Sequence, residues 1–148
     1  MAVTLTIPNE FFYEKGKEGV DFSSDTFKII LMASGFTFDP DTHGTYSDVS
    51  GSEITSAGGY TVGGTSLSVD SAWAQNNTDN NAEIAWNDVT FTASGAAFDT
   101  FCAAVIYDDD NGSDVIVGCI ELGQDIDIAD GSSFQLQDLG LKSALKAA

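Results

Sequence analysis

The chain has 148 residues, 23 of them Asp or Glu and 5 of them Lys with no Arg, so its formal net charge is −18 on a body that is 43% hydrophobic. At that length a single domain buries roughly 70% of the surface its unfolded chain exposes, enough to fold without disulfides or metals. The charge argues against DNA, RNA and anionic lipid as partners: phosphates are held by Lys and Arg, and no Lys or Arg stands between Ile29 and Leu141.

Met1 to Glu10 has neither a basic start nor a long apolar stretch, so a chain made and first folded in a cytosol is expected. Val3 to Ile7 alternates and is stopped by Pro8, which reads as a short strand, with room for residues 1–10 to extend as an N-terminal arm. Asn9 is placed to cap a turn or two of helix running to Gly16 and carrying Phe11 and Phe12. Thr26 to Ala33 predicts a buried strand, with Phe27, Ile29 and Leu31 on one face and Ile30 and Met32 on the other. Ser34 to Ser52 is polar and turn-rich, interrupted by Tyr46 and Val49, and predicts a long loop with one helical turn.

Gly58 and Gly59, then Tyr60 to Val62, then Gly63 and Gly64 make a tight double bend feeding a strand, Thr65 to Val69. Gln75 to Asn81 is an Asn-rich loop. Ala82 to Ala93 alternates in two phases that slip by one residue at Asn87 and Asp88, the mark of a bulge or a change of sheet. Asp99 to Tyr107 and Asp114 to Leu122 predict a hairpin around a bend that holds Asn111 and Gly112, the commonest hairpin turn pair. A strand at Ser133 to Gln137 precedes Leu139 to Ala148, where Leu141 and Leu145 suit a short amphipathic helix.

The hairpin carries the most information. Paired around its bend, Phe101, Ala103, Val105 and Tyr107 share a face with Ile116, Gly118, Ile120 and Leu122, a core face. The opposite face, with Ile106, Val115 and Val117, is apolar too, so a loop, another chain or both must cover it, and oligomerisation is the expectation. The longest apolar run, Phe101 to Tyr107, is seven residues, against about 20 for a membrane-spanning helix, so no membrane segment is expected. Together the elements predict a single all-β domain over 1–148, an antiparallel β-sandwich, jelly-roll-like, with about eight short strands and one or two short helical turns.

No constellation for catalysis stands out. His43, the single histidine, lies in a loop without a nucleophile motif. Cys102 and Cys119 fall on one face of the hairpin, where a cross-strand bridge is conceivable and two buried free thiols are the alternative in a reducing compartment. Asp108 to Asp114 lacks the calcium-loop register, since Gly112 is fifth and Cys119 twelfth, and reads as a solvated hairpin tip. Asp125, Asp127 and Asp130 read as the wet side of an edge strand. Trp73 and Trp86 are candidates for core burial or for sugar-stacking platforms. No cofactor, metal or catalytic residue is therefore expected. The acid excess suits solubility, docking on a basic surface, or a salty medium.

The strand Lys28 to Ser34, the loop Asp39 to Val49 with Asp41, Thr42 and His43, the Gly59 to Gly64 motif with Tyr60, the Trp86 to Phe91 strand, and Val105 to Asp108 followed by Ile116 to Gly118 come in a characteristic order. Over roughly Asp25 to Leu136 this pattern resembles a group of small tailed-bacteriophage virion structural proteins. The resemblance implies a non-enzymatic component of the particle, a decoration or cement protein of β-sandwich form on the capsid surface. Its expected partners are the major capsid protein, at whose subunit junctions it would act, and its own copies as a dimer or trimer. The alternative is a tail or baseplate component that contacts host glycans. Val3, Leu5 and Ile7, adding as a strand, and Ile106, Val115 and Val117, on the hairpin's outer face, are the candidate interface residues.

Overall fold

In the computed structural model, residues 3–17, 19–110 and 112–143 are described. Strand β1 (Thr4–Thr6) leads into helix α1 (Asn9–Gly16) and strand β2 (Phe27–Ala33); after a long loop come helix α2 (Tyr46–Val49) and a 3-10 turn at Ser50–Ser52. Then follow β3 (Thr65–Ser66), β4 (Val69–Asn76), β5 (Asn81–Trp86), β6 (Val89–Thr92), β7 (Phe101–Asp108), β8 (Ile116–Ile126), β9 (Ser133–Leu136) and β10 (Gly140–Ser143). A five-stranded sheet ordered β1-β8-β7-β2-β3 packs against a three-stranded sheet β10-β5-β4 and a two-stranded sheet β6-β9. The ladders are antiparallel, and the molecule is an all-β sandwich.

The alternation in β2 is realised as predicted. Phe27, Ile29 and Leu31 enter the core between the sheets with Trp86, Phe91 and Leu122, while Ile30 and Met32 enter a second cluster on the other face. The slip at Asn87 and Asp88 is a change of sheet, since β5 pairs with β4 and β10 and β6 pairs with β9. At Gly64, with φ +80°, an added β-carbon would collide with the Ile29 carbonyl oxygen. Only glycine lets the double bend press this closely on β2.

Several expectations need correction. Residues 3–10 are not an extended arm: Thr4, Leu5 and Thr6 pair with Glu121, Ile120 and Cys119. Asn9 is the first residue of α1 and not its cap, a place taken by Pro8; its side-chain amide donates to Asp41 Oδ1 at 2.6 Å. The strand expected over Thr65 to Val69 is divided: β3 ends at Ser66, Leu67 is buried as the alternation predicts with its N–H donating to the Phe27 carbonyl at 2.7 Å, and Val69, exposed, begins β4. The stretch from Val69 to Asn76, exposed along most of its length, is a strand supported from one side by β5. Gly140 to Ser143 is strand and not helix, and Gly140 permits it: an added β-carbon would stand 2.8 Å from the Ile84 carbonyl oxygen of the partner strand. Leu145, the other half of the expected helical pair, lies outside the described residues, as does Asn111 of the hairpin turn.

The hairpin forms, but its faces are regrouped. Tyr107 pairs with Ile116 and Ile106 with Gly118, so the register shifts across Val117, and a second shift falls between Phe101 and Ala103. One inserted residue moves every following side chain to the other face. Ala103, Val105, Tyr107 and Ile116 consequently share a cluster with Cys119, while Phe101, Ile120 and Leu122 join Ile106, Val115 and Val117 in the sandwich core.

Candidate functional site

The apolar second face of the central sheet is covered by the chain itself. Phe36, Phe38, Tyr46 and Val49, from the loop after β2 and from α2, pack over Ile30, Met32, Val105, Tyr107, Ile116 and Cys119. The loop is held in place by an isolated bridge from Thr45 to Val115 and by a capping box in which the Thr45 and Asp48 side chains bond each other's backbone. Tyr46 stacks on Tyr107 with ring centroids 4.8 Å apart. Tyr46 and Tyr60 also both donate to the Glu53 carboxylate, at 2.7 and 2.6 Å, tying α2 to the double bend. Burial and the Glu53 charge push the Tyr46 phenol up to about 12.

Half of the expected interface therefore disappears. Ile106, Val115 and Val117 are 6%, 0% and 2% exposed and lie in the protomer's own core. The alternation correctly marked that side as apolar, but what meets it is the opposing pair of sheets. The other half remains open. Val3 and Leu5 are 51% and 73% exposed, and Ile7 is half-buried against the core.

Val3, Leu5 and Ile7 form one rim of a groove of about 570 Å3 whose other rim is Gly140 and Leu141 of β10. Its floor includes Trp86, Val117 and Leu122. β1 and β10 are edge strands of their respective sheets and do not pair with each other, so the sandwich is open along this seam. The sequence pointed to β1 through its alternation. The opposite rim is hidden in the sequence because Leu139 to Ala148 suits a short amphipathic helix, and a single glycine is a weak sign of strand approach.

The other candidates are occupied with structural tasks. The His43 ring stacks on Phe36 and lies tilted against Phe38, at 5.6 and 5.5 Å between centroids, and its Nδ1 accepts the Asp39 N–H at 3.1 Å. Cys102 and Cys119 are free thiols; burial pushes the Cys119 thiol well above its usual range, away from the reactive thiolate. Trp86 is 3% exposed, and half-buried Trp73 lies 4.9 Å from Phe22 with the Lys15 ammonium over its ring, so neither is an open stacking platform. Among the described residues no three His, Cys, Asp or Glu side chains gather as a metal ligand set.

The carboxylates are fasteners as much as solvated charges. Asp125 takes the Ser34 hydroxyl at 2.6 Å, Asp127 the Thr100 hydroxyl, Asp130 the Gly95 N–H at 2.8 Å, and Asp99 the Thr55 N–H at 2.9 Å. The hairpin tip is not simply wet: Asp108 is fully buried, Asp109 pairs with Lys28 at 2.8 Å, and Asp110 holds the Thr26 N–H. These bonds hold several carboxyls below their usual range, Asp99 through the Thr55 hydroxyl, Asp39 through the Asp41 N–H and Asp48 through the Thr45 N–H.

Compared with models of protein families, with curated proteins and with solved structures, the chain matches none.

Proposed function

We propose that the protein is a non-enzymatic structural component of a virus particle, a decoration protein that binds the outside of a tailed-phage capsid and reinforces the junctions between coat subunits. The sequence resemblance supports this reading. The observation that carries it is the contrast between the buried core of an acidic β-sandwich and its open apolar edge at β1, where Val3 and Leu5 stand exposed beside a groove. A decoration protein needs a rigid body, a charged exterior that keeps particles apart, and a confined adhesive surface. The face of the hairpin is no longer part of that surface, and the contact with coat subunits is assigned to β1.

The test is position on the particle. Gold-labelled antibody against the protein should decorate phage heads, and purified protein should co-sediment with particles stripped of it. Label confined to tails, or absent from particles, would overturn the reading.

A further inference from the structure

Edge strands expose unpaired N–H and C=O groups and are usually blunted by shortness, bulges or charge. Two other edges here follow that rule: β3 is two residues long, and the ladder of β4 with β5 slips between Val69 and Ser71 and again between Ser71 and Ala74. β1, three residues long, shares their shortness but carries neither a bulge nor a charge: its register with β8 is unbroken, its sequence is Thr4-Leu5-Thr6, and its central side chain is 73% exposed.

Across the groove β10 is a second unpaired edge, so the slot offers backbone hydrogen bonds along both rims and an apolar floor between them. Trp86, one of the residues lining this groove, has a buried indole N–H with no acceptor among the described residues. A lipid tail or a helix would leave the edge groups unsatisfied, whereas an extended peptide satisfies them.

Charge selects among extended peptides. A second copy of this chain brings the same net charge of −18, and the repulsion between two such bodies disfavours edge-to-edge pairing. In the layer that covers the other face of the sheet, Asp41 and Asp48 line a cleft of about 470 Å3 together with Glu10 of α1, and Glu121, opposite Thr4, accepts the Phe38 N–H. A strand added outside β1 would turn alternate side chains towards the groove, beside Val3, Leu5 and Ile7, and the remainder towards this acidic layer.

We infer that the β1 edge and its groove take an extended segment of a basic partner, one in which apolar residues alternate with Lys or Arg, added as a further strand. The inference deepens the decoration reading, on which the partner's identity rests, by naming the chemistry of the contact.

The experiment titrates the full chain with a short peptide of alternating Val and Lys, following backbone amide signals by NMR and affinity by fluorescence anisotropy. The amides of Thr4 to Thr6 should shift, affinity should fall as salt rises, and a Val and Glu peptide should not bind. Leu5→Ser should weaken the Val and Lys peptide by about tenfold or more with the fold unchanged. Shifts confined to the acidic surface, or equal binding by Leu5→Ser, would show simple charge attraction and overturn the inference. Peptide-free dimerisation through the same amides would overturn it as well, by making a second copy the occupant. Protein found on heads whose attachment ignores Leu5→Ser removes this inference and leaves the decoration reading; peptide bound at β1 by a protein absent from heads does the reverse.

Discussion

Val117 and Leu5 are a telling pair. Both are aliphatic residues in strands of the same sheet, on the face turned towards the smaller sheets, and both are candidates for a contact surface; one is 2% exposed and the other 73%. Val117 sits in β8, flanked by neighbouring strands and capped by the opposing layer, whereas Leu5 sits in β1, where the layer opposite has run out. An apolar side chain on a strand therefore says little about adhesion until its position across the sheet is known.

The largest effect expected from this contrast is on folding. Val117→Asp places a carboxylate without a partner in the sandwich core and should cost roughly 4 kcal/mol or more, read as a collapse of the urea midpoint, with loss of binding following from loss of the fold. A Val117→Asp protein that melts like wild type would erase the distinction between the two residues.

Next comes the loop that replaces a companion chain. Phe38 is 7% exposed and packs in the cluster with Met32 and Cys119, so Phe38→Ala should cost about 3 kcal/mol. It should also uncover apolar surface on the central sheet, giving concentration-dependent self-association in sedimentation velocity; a strictly monodisperse variant would show that the loop is not what keeps that face dry.

A smaller effect concerns the carboxylate fasteners. Asp99 is held below the ordinary aspartate value of 3.8 by the Thr55 hydroxyl and N–H. A carboxyl lowered on folding adds stability above its unfolded pKa, and that stability drains away as pH falls through 3.8 towards the lower folded value. Asp99→Asn should accordingly be less stable than wild type at neutral pH and show a shallower loss on acidification. Parallel acid limbs for the two proteins in a pH series of melting temperatures would contradict this.

The smallest change in stability is expected at the open edge. Leu5→Asp should move stability by no more than about 0.5 kcal/mol, since its side chain is already largely in water, while abolishing attachment to the particle. The pairing of an intact fold with lost attachment is what separates this position from Val117→Asp, and it is checked by running thermal melts and co-sedimentation on the same preparation.

Much of this architecture was legible in residue order. The two faces of β2, the switch between sheets after Trp86 and the hairpin of β7 and β8 follow from period-two alternation interrupted by turn residues. The strand Val69–Asn76 escaped because its residues are exposed on most positions and its pairing with β5 slips twice, leaving no alternation to detect. The rim at Gly140 and Leu141 escaped because leucines spaced four apart suit a helix as well as a strand end. The regrouped hairpin faces escaped because a one-residue shift across Val117 leaves no mark in composition.

The amino-acid order by itself determined that this is an acidic β protein whose central strands are apolar on both sides, because side-chain alternation and turn chemistry act over a few neighbouring residues. Only the tertiary structure decided which cover each side receives. Phe36 and Phe38 from a loop and Val49 from α2 reach one face, the small sheets take the other, and β1 is left at the margin. Those contacts join residues far apart along the chain, whose meeting depends on sheet order and register, properties that local periodicity does not encode.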